Sequence, residues 1–306
     1  MKIEWKGVMP AITTCFREDL EIDHEFTARH VTWLVENGCT GIIANGSLGE
    51  GGALSLDEKR ALWRTCIDAV RSRVPVIAAV ASMTTSDAVR QAKEAEASGC
   101  SGLMVLPPYV YRGDWRETKE HVGAIVRSTS LACMLYNNPI AYGTDFWPEQ
   151  VAELAGELPN LLAVKESSTD VRRVTAIRAI CDDRLAILVG VDDAIVEGVA
   201  AGAVGWIAGL VNAFPKESVD LFNLALNGEH DEARRLYEWF LPLLRLDTVP
   251  KFVQLIKLAQ ERVGMGTTRV RAPRLPLAGE ELREANAILD HALATRPALA
   301  REPARA

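Results

Sequence analysis

The chain has 306 residues, 48% of them hydrophobic and 25% charged, which is a globular composition with ample length for a large core. Its formal net charge of −7 is spread along the chain rather than blocked, which argues against a nucleic-acid or anionic-membrane surface. No stretch approaches the roughly 20 apolar residues of a membrane helix. The opening "MKIEWKGVMP" lacks a secretory leader pattern, and the six cysteines are scattered without C-x-x-C or zinc-like spacing. The expectation is a cytoplasmic protein with reduced thiols that needs no metal and no cofactor.

Short apolar or β-branched runs recur at residues 7 to 14, 41 to 46, 74 to 81, 102 to 108, 132 to 139, 161 to 167, 185 to 190 and 202 to 209. Between them lie segments of helical spacing. Several open on capping residues: Asp23, Ser55 with Glu58 as a capping box, and Thr85 or Ser86. Near-continuous apolar strands alternating with helices indicate a parallel sheet buried on both faces. Eight such units predict an α/β fold, a closed (β/α)8 TIM barrel, over residues 1 to 214. An open doubly wound sheet is disfavoured because no G-x-G-x-x-G follows the first strand.

After residue 214 the pattern turns to amphipathic helices broken at Asn227-Gly228 and Val249-Pro250, with a last helix over 279 to 294. Residues 215 to 295 are therefore expected to form a C-terminal helical subdomain. The Ala-, Arg- and Pro-rich tail, 296 to 306, is expected to be disordered.

Barrels of this kind carry their chemistry at the C-terminal ends of the strands, which narrows the search to the residues ending each run. Lys165 interrupts "LLAVKES" with a charge inside an apolar mouth. Lost hydration there favours the neutral, nucleophilic amine, which condenses with a ketone to a Schiff base. A snorkelling lysine or a phosphate ligand would give the same pattern. Tyr136 ends the neighbouring strand, either as a proton relay or as a buried core phenol. "GSLGEGG", residues 46 to 52, offers a hydroxyl at Ser47 and glycines that let backbone N–H groups approach a carboxylate, or is a plain βα turn. Asp192 and Asp193 read as caps of the helix that follows them.

Taken together and in this order, "GSLGE" after the second strand, "YNNP" on the fifth and "VKES" on the sixth resemble the signature of the pyruvate-dependent class I aldolase family that includes dihydrodipicolinate synthase and N-acetylneuraminate lyase. The resemblance runs from residue 5 to about 295. It implies that Lys165 forms an imine with a 2-oxo acid and that Tyr136 relays protons. It further implies that Ser47, Leu48 and Asn138 belong to the substrate-binding rim and that Ile207 lines the pocket through its backbone. The partners it implies are a small-molecule substrate and a second copy of the chain, as a dimer or tetramer.

The departures bear on the substrate. Leu48 stands where synthase members have a second hydroxyl residue, Ala141 where they carry a carboxylate-gripping arginine, and Val110 where a relay tyrosine crosses their dimer interface, with Tyr109 or Tyr111 beside it as the alternative hydroxyl. A methyl group cannot form arginine's bidentate pair. "YNNPIAYGTD", "GVDD", "LDTVPKFVQLIKLA" and "VRAPRLPL" resemble the 1-pyrroline-4-hydroxy-2-carboxylate deaminase subgroup. The expected activity is thus a Schiff-base lyase, dehydratase or deaminase on a small hydroxylated 2-oxo acid or its cyclic imine. 2-Keto-3-deoxyarabonate dehydration and dihydrodipicolinate synthesis are the alternatives, with an idle 2-oxo-acid-binding barrel and a phosphate-binding isomerase barrel as readings of another class.

Overall fold

The computed structural model describes residues 3–297. Eight strands, β1 (Gly7–Pro10), β2 (Ile42–Ala44), β3 (Val76–Val80), β4 (Gly102–Val105), β5 (Ala132–Asn137), β6 (Leu161–Glu166), β7 (Ala186–Val189) and β8 (Gly205–Ala208), pair in the order β1-β8-β7-β6-β5-β4-β3-β2. Every ladder is parallel, and the Ala11–Ile43 bridge brings the first strand against the second and rounds the sheet into the expected TIM barrel. The strand bodies are almost wholly buried because helices cover them outside and side chains fill the barrel inside. Each Leu, Ile, Val or Phe so enclosed contributes roughly 1.5–3 kcal/mol.

The helices are α1 (His24–Glu36), α2 (Leu56–Val70), α3 (Thr85–Ala97), α4 (Trp115–Arg127), α5 (Pro139–Tyr142), α6 (Pro148–Glu157), α7 (Arg172–Cys181), α8 (Ile195–Ala200), α9 (Pro215–Leu226), α10 (His230–Leu244), α11 (Phe252–Arg262) and α12 (Gly279–Ala294). Asp23 and the Ser55–Glu58 box cap α1 and α2. For α3 the cap is Thr84, one residue earlier than expected, because its Oγ1 accepts from the Asp87 amide and leaves Thr85 free to begin the helix. The fifth run stops at Asn137: Asn138 accepts the Ala141 amide as a cap, and Pro139 takes the first helical position, where a missing N–H costs nothing.

Beyond β8 the strands cease. Helix α9 packs on β1 and α10, α11 on the turn after β8, and α12 on α10 and α11. Phe214, Trp239 and Phe240 form the aromatic joint between them. Arg296, at the start of the tail expected to be disordered, donates to Glu217 at 2.5 Å and lies over Phe214; residues 298–306 of that tail lie outside the described residues. All six cysteines are free and buried, and among the described residues no helix is long and apolar enough to cross a membrane.

Candidate active site

Strands β5 and β6 put Tyr136 directly beside Lys165 in register. Both side chains are buried at the mouth, and the Lys165 Nζ stands 4.1 Å from the centroid of the Tyr136 ring. Asn138, beyond the end of β5, donates its Nδ2 to the Tyr136 phenol at 2.9 Å. The lysine stem lies across Gly190, just after β7: a Cβ there would fall 2.4 Å from Lys165 Cε and 2.0 Å from Ser167 Oγ, so only glycine leaves room. Behind this pair, Asn137 donates to Glu166 at 2.9 Å and accepts the Phe146 amide at 3.0 Å. Burial raises the Glu166 carboxyl above its ordinary value, opposed by hydrogen bonds from Ser168 and Asn137. Their neighbours thus fix Asn137 and Glu166 as the scaffold that holds the ends of β5 and β6.

The "GSLGE" loop folds back under the second strand. Asn45 and Glu50 both adopt left-handed φ, and Gly51 approaches the Asn45 carbonyl so closely that a Cβ would lie 1.9 Å from its oxygen. The turn leaves the Ser47 and Leu48 amides without an acceptor among the described residues, the kind of concavity that holds an anion. Ser47 Oγ is hydrogen-bonded to the phenol of Tyr142, whereas Leu48 is buried. Glu50, at the end of the motif, accepts Lys257 Nζ at 2.5 Å and the Arg271 amide at 3.0 Å, with both side chains of the ion pair shut off from water. The helical extension therefore grips the loop from below.

Opposite, Ile207 is buried on β8, in register with Met9. Asp192 is placed otherwise than its sequence context suggests: it caps no helix of its own segment. Its carboxylate crosses to the end of β8 and accepts Trp206 Nε1 at 3.0 Å, the Gly209 amide at 3.1 Å and the Leu210 amide at 2.7 Å. Burial pushes this carboxyl up to about 6, against the pull of those donors and of the Lys165 charge. Asp247, from the extension, lies against Gly209, and its buried Oδ1 has no partner among the described residues. Burial, with the Asp192 charge added, raises its carboxyl well above the ordinary value.

Tyr109 packs on Tyr142 at 5.6 Å between ring centroids, and Tyr142 meets Tyr136 edge-on at 5.7 Å. Tyr111 points away, its phenol donating to Glu117 at 3.1 Å. Val110 is 83% exposed in a left-handed conformation that a β-branched residue rarely takes. Sequence reasoning passed over Tyr142, although it stands in the same "YNNPIAYG" stretch as Tyr136, six residues on. It had no signal for Asp247 or Lys257, which arrive from the extension. Among the described residues no group of three or more His, Cys, Asp or Glu is placed to hold a metal ion.

The profile of the dihydrodipicolinate synthetase family matches residues 4–292. A 4-hydroxy-tetrahydrodipicolinate synthase of Methanocaldococcus jannaschii is 31% identical over 276 residues, 90% of this chain and 94% of that one. The structure of the 4-hydroxy-tetrahydrodipicolinate synthase of Methylacidiphilum fumariolicum SolV superposes with a TM-score of 0.91 at 30% identity, covering 96% of this chain and 97% of that one. A prophage protein of the dihydrodipicolinic acid synthase family from E. coli K12, solved in complex with pyruvate, superposes with a TM-score of 0.88 at 26% identity, covering 94% and 98%. With a matching barrel, a matching profile over nearly its whole length and relatives above 30% identity, the chain belongs to the dihydrodipicolinate synthetase family, the class I aldolase-type lyases that work through a lysine Schiff base.

Proposed function

We propose that Lys165 condenses with C2 of a small hydroxylated 2-oxo acid or its cyclic imine, and that the resulting iminium drives loss of a β-hydroxyl. The observation that carries this reading is the buried Lys165 Nζ held over the Tyr136 ring, beside a loop whose Ser47 and Leu48 amides suit a carboxylate. With an open-chain 2-oxo acid, two protons leave the lysine ammonium and two reach the carbonyl oxygen, which departs as water; with the cyclic imine, the lysine nitrogen displaces the ring nitrogen, which takes up the proton and departs from C2 as a tethered amine; Tyr136 carries these protons. The positive imine withdraws electrons, so C3 gives up a proton as the neighbouring hydroxyl leaves. Asn138 orients the Tyr136 phenol, and Ile207 closes the opposite wall.

The best substrate on these grounds is 1-pyrroline-4-hydroxy-2-carboxylate. One water leaves and two are taken up, releasing ammonia and 2,5-dioxopentanoate. Ala141, with no charge to grip a second carboxylate, favours a substrate that has only one. Dehydration of 2-keto-3-deoxyarabonate uses the same imine and the same elimination. The relatives' names favour a second reading, condensation of pyruvate with aspartate semialdehyde. Exposed Val110, Tyr111 and Ile140 on the loops after β4 and β5 support self-association, and six buried free thiols suit the cytoplasm.

Borohydride reduction in the presence of pyruvate is expected to add mass at Lys165, and Lys165→Ala to abolish turnover without unfolding. An unmodified lysine under conditions that label a pyruvate-dependent relative defeats the Schiff-base reading. Parallel assays of the three substrate sets then choose among them. Ammonia release selects the deaminase, and efficient condensation of the last pair selects the synthase.

A further inference from the structure

We propose that Asp247 is a specificity-determining residue of the barrel mouth, whose carboxyl, beside Asp192, receives a protonated amine at the far end of the substrate in preference to a carboxylate. The residue comes from the turn 245–247 that follows α10, and buried Leu244 and Leu246 pin that turn in place. The turn packs on the segment 192–194 after β7, where Arg245 Nε lies 3.5 Å from Asp193. Asp247 then faces Gly209, the residue after β8. A Cβ on Gly209 would fall 2.1 Å from Asp247 Oδ1 and 2.8 Å from its Oδ2, so the carboxyl lies against bare backbone at the C-terminal end of the strand. Direct contacts lead from there to the reacting amine: Asp192 accepts the Gly209 amide at 3.1 Å, and Gly190, just before the segment of Asp192, carries the Lys165 stem across its Cα.

Asp192 has its donors, and Asp247 does not. The Gly209 and Leu210 amides and Trp206 Nε1 are all taken by Asp192. Asp247 Oδ1 is shut off from solvent with no hydrogen-bond partner among the described residues. A buried acceptor left in this way costs about 1–3 kcal/mol, and a ligand that brings a donor removes that cost. Charge decides which donor. Burial raises both carboxyls, Asp192 to about 6, and the Asp192 charge adds to the rise at Asp247. Near neutral pH the two therefore carry one negative charge between them. An ammonium is drawn by that charge and gives Oδ1 its missing donor, whereas a carboxylate meets repulsion in a place poor in water, where like charges cost most.

Resting on the Schiff-base reading, this placement selects among 2-oxo acids by what stands at their other end. When the Lys165 nitrogen displaces the ring nitrogen of a cyclic imine, that nitrogen stays tethered as an amine, positive at neutral pH, in the same mouth as a positive iminium. Buried positive charges need a counter-charge from the protein, and Asp192 with Asp247 supplies it. A 2-oxo acid that ends in a carboxylate finds no such match. Ala141 gives it no cation, and Arg245, on the same turn as Asp247, is mostly exposed and lies by Asp193.

The test uses the full chain and three probes that share a 2-oxo acid head. Pyruvate has no far end, 1-pyrroline-2-carboxylate opens to a terminal amine as the imine forms, and 2-oxoglutarate has as many carbons but ends in a carboxylate. Each is equilibrated with the enzyme, an excess of borohydride freezes the adduct at Lys165, and the half-saturating concentration is divided by that of pyruvate. The wild type should prefer the amine probe to 2-oxoglutarate. Asp247→Asn, of the same shape without the acid, should shrink that preference on the order of 10-fold, the weight of a hydrogen bond to a charged group. A wild type that does not prefer the amine probe overturns the inference whatever the variant does, and leaves the Schiff base standing. An Asp247→Asn protein with the wild-type preference overturns it too, as does one in which all three probes weaken alike, since that marks damage to the fold. A wild type that traps none of the three sinks the Schiff-base reading, and this inference with it.

Discussion

The two sides of the barrel mouth are built differently. On the β5–β6 side, Tyr136 and Lys165 are next-door neighbours in register, and their support comes from residues a few positions away: Asn138, Ser167 and the Asn137–Glu166 scaffold. On the β2–β8 side the shape of the "GSLGE" loop is imposed from a distance. Lys257 reaches Glu50 across 207 residues, and Arg271 meets Ala53, Leu20 and Glu58 from the same extension. The groups proposed to react are thus carried on rigid strands, while the loop proposed to take the carboxylate is held by a buried ion pair whose stability is that of the fold. Damage to the first side should show mainly in rates, and damage to the second mainly in stability.

The largest stability effect should come from Lys257→Met, which leaves the buried Glu50 charge with only the more distant Arg274 guanidinium at 3.9 Å. Removing one partner of a buried pair costs about 3–5 kcal/mol, readable as a lower urea midpoint. Lys257→Met with Glu50→Gln should recover much of that loss, because no unpaired charge remains. If the single variant unfolds at the wild-type midpoint, the extension does not hold the loop in the manner described.

Next comes His30 of α1, fully enclosed with its Nε2 on the Asn212 carbonyl at 2.9 Å, in the turn after β8. Burial lowers its pKa from 6.5 to about 4. The unfolded chain therefore binds a proton that the native one refuses. Stability contributed by the neutral ring is complete above pH 6.5, falls by about 1.4 kcal/mol per pH unit below it, and levels off near pH 4, a total of about 3 kcal/mol. Because the raised Asp192 and Asp247 carboxyls give a slope of the opposite sign in this window, the difference between wild type and His30→Gln in urea titrations from pH 4 to 7 measures the His30 slope.

On the β5–β6 side, Gly190→Ala should leave the fold intact and move the Lys165 stem, since the new methyl overlaps Lys165 Cε. Misplacement of a reacting group by about 1 Å costs on the order of 10²-fold in kcat. A variant with wild-type turnover would show that the stem has another place to lie. The smallest effect belongs to Arg173, which clasps Asp145 with both arms at 2.5 and 2.8 Å and lies over Trp147 at 4.5 Å. It is partly solvated, so Arg173→Ala should cost about 1 kcal/mol in thermal or urea unfolding and little activity.

Legibility in the sequence follows the same division. The eight apolar runs were readable because a strand buried on both faces has no use for polar residues, and Lys165 was conspicuous because it broke that rule at a strand end. Cap positions read well where a box was present, as at Ser55 and Glu58, and shifted by one where three hydroxyl residues in a row, Thr84 to Ser86, could each have served. Asp192 was misread for a physical reason. A carboxylate before a helix caps it in most local contexts, and here the Gly209 and Leu210 amides just after β8, brought close only by barrel closure, compete better.

What the amino-acid sequence by itself determined is the alternation that makes a barrel and the pairing of a lysine with a tyrosine on adjoining strands, because strand order, burial and register follow from local pattern. What only the tertiary structure decided is which distant polar groups meet inside: Tyr142 with Ser47, Lys257 with Glu50, Asp192 with the end of β8. Each buried polar group must find a partner, and which partner is within reach depends on how whole elements pack, not on the residues beside it in the chain.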